Sequence, residues 1–589
     1  MQRGVFSATA TWVRPALRCA ISLGLVVGGC VAASHGDQGQ IGQRGLIQAL
    51  PPVFFGCAGL LTLNFFVELF RGRGPNPWVL GTAMIGMVVL LHGAPGFLES
   101  EPRFPTAWLH AGFTGQILDH GVSAPKVDAR FNWPGFFSSA AAATGAGGLT
   151  SALPLLRWAP VVMVLLYLLP LHVIGRQLTG SSTAAWLGLW LFLVFNWVGQ
   201  DYFAPQSIGF VLYLLAIAIL VTFFRGGPQL RLWPRKAWAR GQQAEPEGLP
   251  DLAVGRRLRV ALIALLILLC AALTMTHPLS PIMLVLGSAA LVVSRRCRLV
   301  MFPAIAGIMT LGWISIGATP YWVGHLDTIF GGVGHVSAVV NNSVGERVTG
   351  SKIHESLVRV RLEYTGALWA LAGVSAVVLW ARRQPAVTLM ALAIAPFLTM
   401  AQNYGSEGVL RIFLFSAPFG CLLIAQFVVL GLRARFVQVV VAGASLALIP
   451  VFVLTRYGNE SFEQVRPNEV EAIRVLYSMA PPGSNLVSAT SQLPWRFDFA
   501  TDYTYLRPTE ARAFRRGSLT AVRSLVGHPR DSNAKTYLVI TTSQRLYGGQ
   551  SLKGSAQWLR RVRPLLTPYN GYHLVYSNPD AWIYEFEAP

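Results

Sequence analysis

Two acids in one stretch, Glu101 and Asp128, are the side chains here best suited by type to take a proton from a hydroxyl group. Glu101 lies in Glu99-Ser100-Glu101-Pro102-Arg103-Phe104-Pro105, with His110 soon after. Asp128 opens Asp128-Ala129-Arg130-Phe131-Asn132-Trp133-Pro134. Trp133 and the fixed proline can hold such a loop against an interface and partly desolvate the Asp128 carboxylate, which raises its pKa and makes it a better base. Asp128 is therefore the expected general base and Glu101 the second choice. The plainer alternative pairs each acid with its neighbouring Arg103 or Arg130 and leaves Trp133 as an interfacial anchor. Gln200-Asp201-Tyr202 supplies acceptors and donors suited to sugar hydroxyls, or else a capped turn. His277, held at a helix end by Pro278, is either a ligand contact or a structural histidine, and no His-x-x-His pattern accompanies it. Glu407 and Arg411 stand at i, i+4 where an apolar helix begins. An arginine there is costly unless it is paired or binds an anion, and its fork suits a phosphate. Pairing with Glu407 alone is the alternative.

These groups need a frame, and the frame is a membrane. The mean hydropathy of +0.49, with 53% hydrophobic and 12% charged residues, excludes an ordinary soluble globule. Apolar stretches between residues 13 and 455 predict about 13 spans, with 183–199, 279–294, 300–317 and 385–401 among them. The first, flanked by Arg14 and Arg18, reads as a signal anchor despite its Val27-Gly28-Gly29-Cys30 box. Alternate loops collect roughly 21 basic residues, which puts the N-terminus inside and the C-terminus outside. Nearly all the candidate residues then fall on the outer face of a body spanning residues 1–455, in the long loop 96–151 and in the shorter turns at Gln200–Tyr202, His277 and Glu407–Arg411; a second long outer loop covers 318–363.

Residues 456–589 read as a small extracytoplasmic α/β domain, with helices over 467–479 and 552–566 and strands over 537–542, 572–576 and 582–586. No phosphate loop or Ser/His/Asp signature follows these strands, so a lid or acceptor-positioning role is expected. Within the outer loop, Trp108, Phe113, Ile117 and Leu118 give a short helix one apolar side, the pattern of a helix lying in the interface plane. The 226–257 segment reads as a solvated linker. The net charge of +21 sits mostly in short inner loops, where anionic membrane lipids are the natural partners; no compact basic domain exists to bind nucleic acid. All six cysteines lie in spans or an inner loop, so no cysteine metal site is expected outside.

The order of an acid-bearing outer loop with interfacial helices, a multi-span body, an outer arginine near a late span and a soluble tail resembles the GT-C superfamily of integral membrane glycosyltransferases. Pro102 to His110, Asp128 to Phe137, Trp197 to Gln206, the His277-Pro278 turn and Glu407 to Phe413 resemble large actinobacterial envelope membrane proteins described as glycosyltransferases. The resemblance implies an inverting transfer of a sugar from a polyprenyl-phosphate donor to an envelope glycan or lipid acceptor, outside a bacterial plasma membrane. It places the base at Asp128 or Glu101 and the donor phosphate at Arg411, with Arg103 beside it. Gln200, Asp201, Tyr202, His277, Glu407, Trp133 and His110 become substrate contacts. The chain lacks a clear Asp-x-Asp pair and places additional spans before the acid-bearing loop. No metal ligands are therefore assigned, and a divalent metal is left as an open alternative. A transporter or flippase of lipid-linked glycans would instead place ionisable groups near the midplane and often contain inverted repeats. A non-catalytic glycan-binding scaffold would need no cavity joining the Asp128 loop to Arg411.

Overall fold

The computed structural model describes residues 3–71, 74–226, 247–323, 348–384, 386–401, 408–525 and 534–587. Helices α1 (Arg3–Ser34), α2 (Pro52–Leu69) and α3 (Pro77–Leu98) lead to a loop carrying α4 (Pro105–His120) and α5 (Gly135–Ala146). Then follow α6 (Ala159–Thr179), α7 (Ser182–Phe195), α8 (Pro205–Phe223), α9 (Arg256–Thr276), α10 (Ser280–Val293), α11 (Phe302–Gly312), α12 (Lys352–Ala381), α13 (Val387–Ile394), α14 (Gly408–Gly431) and α15 (Arg435–Tyr457). Proline sits in the first turn of α2, α3, α4, α6, α8, α10 and α11, where its missing N–H removes no helical bond.

Nine of the described helices are long and apolar enough to cross a bilayer: α1, α2, α3, α6, α8, α9, α12, α14 and α15. The chain is a multi-pass membrane protein. The four expected spans at 183–199, 279–294, 300–317 and 385–401 are shorter apolar helices of 10–17 residues. A 14-residue helix rises only about 21 Å against a hydrocarbon core of about 30 Å, so α7 and α10 are completed by loop and longer neighbours. In the other direction, α12 starts at Lys352, well before the expected 364, and carries its first turns beyond the membrane.

α14 forms the centre of the body and is buried along most of its length, whereas α1, α9 and α15 present most of their surface outward. Small residues permit the close approach: a Cβ at Gly188 would meet Leu422 of α14 at 2.5 Å, and one at Gly175 would meet it at 2.9 Å. On the face away from the tail, Glu68 is clasped by Arg18 and Arg71. Part of the expected 226–257 linker is also anchored there, since Glu247 is buried and accepts from Thr388. Residues 227–246 of that linker lie outside the described residues.

The tail begins with α16 (Pro467–Met479), as its periodicity predicts. It builds a five-stranded sheet from β1 (Asn485–Ser488), β2 (Thr504–Leu506), β3 (Thr536–Thr541), β4 (Tyr572–Asn578) and β5 (Ala581–Phe586), in the order β2-β1-β3-β5-β4. β1 pairs parallel with β2 and β3, while β3–β5 and β5–β4 are antiparallel. The helix expected over 552–566 begins only at Trp558, because Gly554 and Gln557 adopt left-handed backbone (φ 71° and 53°). One core joins tail to loop: Trp108, Phe113, Phe131 and Phe137 pack with Ile473, Leu476, Phe497 and Val539. α4 therefore does not rest its apolar side on lipid, as expected. Trp108 and Phe113 are buried against the tail, and a Cβ on Gly112 would overlap the Arg496 carbonyl.

The arginine bias of the loops predicts that the tail lies outside. Tyr569 is 82% exposed in the tail, so a Tyr569→Cys variant should be labelled in intact cells by a membrane-impermeant thiol reagent that crosses the outer layers. Labelling only after the membrane is opened would invert the topology.

Candidate functional site

A cavity of about 310 Å³ lies at the membrane face that carries the tail. Thr106 and His110 reach it from α4, Ala129, Arg130 and Trp133 from the following loop, and Tyr202, Ala204, Pro205 and Gln206 from the entry to α8. Thr276, His277 and Pro278 come from the α9–α10 turn, with Tyr321 and Arg411 completing the wall. The Asp128 loop and Arg411 thus meet across one space. Among these lining side chains there is no carboxylate and there are two guanidiniums, of which Arg130 is paired with Asp128 behind the wall.

Arg411 lies in the first turn of α14, is buried, and donates from Nη1 to Gln200 Oε1 at 2.9 Å. Its expected partner Glu407 lies outside the described residues. Tyr202 stacks on His110, with ring centroids 5.7 Å apart and planes 8° from parallel, and packs against Phe104 at 4.6 Å. Gln206 is buried, and both its amide atoms lack a hydrogen-bond partner among the described residues. Trp133 packs edge-on to Tyr321 at 5.2 Å, making it cavity wall rather than a lipid-facing anchor.

The acids sit differently from expectation. Asp128 is no partly desolvated free base: Arg130 grips both its oxygens, through Nε at 2.8 Å and Nη2 at 2.9 Å, and Arg496 of the tail donates to Oδ2 at 3.0 Å. Burial alone would raise its pKa, but the hydrogen bonds and charge of Arg130, with Arg496, hold it below the usual value. Asp128 accordingly aims Arg130 at the cavity and ties it to the tail. Glu101 is half-buried and makes no ion pair among the described residues. Arg103, expected at the phosphate, is already neutralised by Glu460 at 2.7 Å and Glu463 at 2.6 Å. Neighbouring Glu99 is buried beside Glu460 and makes no ion pair among the described residues, and burial, reinforced by the charge of Glu460, pushes its pKa well up.

Asp201 is not a cavity residue. Its carboxylate turns the opposite way from Tyr202, into the body, where Arg456 of α15 binds Oδ1 at 2.6 Å and His92 of α3 meets Oδ2 at 3.0 Å. All three side chains are at most 1% exposed. Arg456 also donates to the Asn196 carbonyl.

Sequence reasoning missed Arg130 as a wall residue, along with Thr106, Thr276, Gln206, Tyr321 and the latch Arg496. Gln206 stood inside a quoted motif, and Arg130 was read only as a partner of Asp128. Arg496 and Tyr321 carry no local signal, since only the tertiary fold brings them here. Among the described residues, no group of three or more His, Cys, Asp or Glu side chains converges to hold a metal. The two guanidiniums of the cavity also do not fit a divalent cation.

No protein-family model matches the chain, and no curated protein matches it. Among solved structures it is similar to the archaeal oligosaccharyltransferase AglB from Archaeoglobus fulgidus in complex with an inhibitory peptide and a dolichol-phosphate. The identity is 12% and the TM-score 0.47, over 90% of this chain and 74% of that one. It is also similar to ArnT from Cupriavidus metallidurans bound to undecaprenyl phosphate, at 12% identity and TM-score 0.45, over 91% of this chain and 97% of that one. Likeness at this level transfers no residue roles, so the chemistry is read from the side chains themselves.

Removing one member of a buried ion pair strands the other, at a cost of about 3–5 kcal/mol. Asp201→Asn should therefore lower the melting temperature in detergent markedly, and adding Arg456→Met should recover much of the loss. An Asp201→Asn protein as stable as the wild type would remove this pair as a structural tie.

Proposed function

We propose that this chain is a membrane glycosyltransferase that moves a sugar from a polyprenyl-phosphate donor to an envelope glycan or lipid acceptor on the outer face of a bacterial plasma membrane. The observation that carries this reading is the cavity, where Arg411, Arg130, His277 and Tyr202 arrive from four separate segments without a carboxylate among them. A donor whose lipid stays in the bilayer must present its phosphate at the level of the helix ends, and Arg411 occupies that level. The guanidinium fork of Arg411, assisted by Arg130, neutralises the charge that grows on the phosphate as it leaves.

The reaction is a direct displacement with inversion. The acceptor oxygen bonds to the anomeric carbon, the phosphate departs with the electron pair of the broken bond, and the acceptor's proton passes to a base. Of the two acids expected for that role, Glu101 is the one whose carboxylate makes no ion pair among the described residues, so the base is assigned to it as a group of the same loop that stands outside the cavity wall. Asp128 becomes the residue that positions Arg130. Gln200 orients Arg411. A transporter would need mobile charge in the spans, yet Glu68 within α2 and Asp201 beside α8 are fixed in ion pairs, and buried Glu99 lies at the end of α3 rather than at its middle.

In proteoliposomes supplied with polyprenyl-phosphate sugars, Arg411→Lys should lower transfer by about tenfold or more, because a point charge replaces a bidentate fork. Glu101→Gln should lower it by about 10² or more while leaving lipid-phosphate binding in place. Full activity of both variants would refute this assignment of the site.

A further inference from the structure

The two cavity histidines are held in opposite tautomers. His277 follows the last residue of α9, and its Nδ1 lies 3.2 Å from the backbone N–H of Leu279, 3.2 Å from that of Ser280 and 3.1 Å from Ser280 Oγ. Backbone N–H groups only donate, so Nδ1 carries the lone pair and the ring's proton sits on Nε2. His110 is the reverse case. Its Nδ1 lies 2.8 Å from the Phe203 carbonyl, which only accepts, so Nδ1 carries the proton and Nε2 keeps the lone pair. In both rings Nε2 has no hydrogen-bond partner among the described residues. Both rings line the same cavity.

Their surroundings keep both rings neutral. Burial lowers the His277 pKa well below its ordinary value, helped by Arg411. Burial and Arg130 bring His110 down to about 3 against the smaller opposing effects of the Phe203 carbonyl and Asp128. The cavity therefore offers one fixed donor at His277, on the side of Arg411, and one fixed acceptor at His110, under Tyr202. A phosphate needs donors and repels a lone pair, whereas a hydroxyl can give its hydrogen to one.

Resting on the glycosyltransferase reading, we propose that the cavity binds a phosphate-linked sugar in a fixed direction: His277 Nε2–H and Arg411 hold the phosphoryl oxygens, and His110 Nε2 accepts a hydrogen bond from a hydroxyl of the attached sugar. His110 is then a selector that separates the loaded carrier from the bare carrier. The aromatic face of Tyr202 stacked on it fixes the ring plane and hence the direction of the lone pair.

Isosteric amides separate the two nitrogens of each ring. Asparagine places its amide near Nδ1 and glutamine near Nε2, so His110→Asn keeps the Phe203 bond without the cavity acceptor and His110→Gln restores an acceptor there. His277→Asn likewise keeps the cap on α10 and loses the donor. The binding of undecaprenyl phosphate, and of a panel of undecaprenyl-phosphate-linked pentoses and hexoses, is to be measured on the full chain in nanodiscs. The wild type should bind at least one loaded carrier about tenfold more tightly than the bare one. His110→Asn should erase that preference while leaving bare-carrier binding within about twofold, and His110→Gln should restore part of it. His277→Asn should weaken bare and loaded carriers alike by about tenfold. If the wild type binds no carrier, the glycosyltransferase reading itself fails. If it binds carriers but prefers no loaded one, or His110→Asn keeps the preference, the selector role is overturned and that reading survives.

Discussion

The buried ion pair between Asp201 and Arg456, with His92 beside it, is the constraint on which the site's geometry depends. Two charges removed from water must be paired closely, and the chain achieves this by drawing three elements together. α7 stops at Phe195, and the 196–204 loop turns inward so that Asp201 reaches α3 and α15. Once Asp201 faces into the body, its neighbours are directed outward to the site. Gln200 meets Arg411 and Tyr202 lies over His110. The apparent sugar-binding triplet Gln200-Asp201-Tyr202 is thus two site residues held in register by a structural acid.

A second clamp closes the same space from the tail. Arg496 reaches Asp128, which already holds Arg130, and the shared aromatic core beneath them joins α4, α5 and the sheet. Arg103 repeats the device a short distance away, binding Glu460 and Glu463 just after α15. The tail is therefore attached to the catalytic loop both by packing and by paired charge. It stations Arg130, whose guanidinium lines the cavity, without contributing a lining residue of its own. Because its contacts fall on the loop that carries His110 and Glu101, the residues proposed as selector and base, the tail is a wall of the site in energetic terms.

The helical body was legible because a bilayer demands long apolar runs, and those runs survive any tertiary arrangement. The short helices were over-extended in the sequence reading for the same reason: an apolar stretch such as 183–199 shows where lipid or protein surrounds the chain, not where the helix stops. At the site, residue types were legible and their directions were not. Arg411 and His277 were singled out from helix-end chemistry, Tyr202 and Trp133 from their motifs and His110 from the family resemblance, and all five line one cavity. Asp128, Asp201 and Arg103 drew attention for the same reason, being charges near an interface; Asp128 is held by Arg130, the local partner named in the plainer reading, and also by Arg496, whereas Asp201 and Arg103 are consumed by partners hundreds of residues away. Charge pairing over such separations leaves no local signature, and neither does the contribution of Arg496. β1 and β2 were missed because strands of four and three residues carry too little alternation to be read.

The pocket at the membrane face offers donors at Arg411 and His277 and an acceptor at His110, which on the proposed reading meet a lipid phosphate and what the phosphate carries. The central claim is that a lipid phosphate sits between Arg411 and His277, and electron cryomicroscopy of the chain in nanodiscs with saturating undecaprenyl phosphate tests it directly. The account predicts phosphate density about 3 Å from the Arg411 guanidinium and from His277 Nε2. Lipid phosphate resolved at another place, with the cavity empty at saturation, would contradict it.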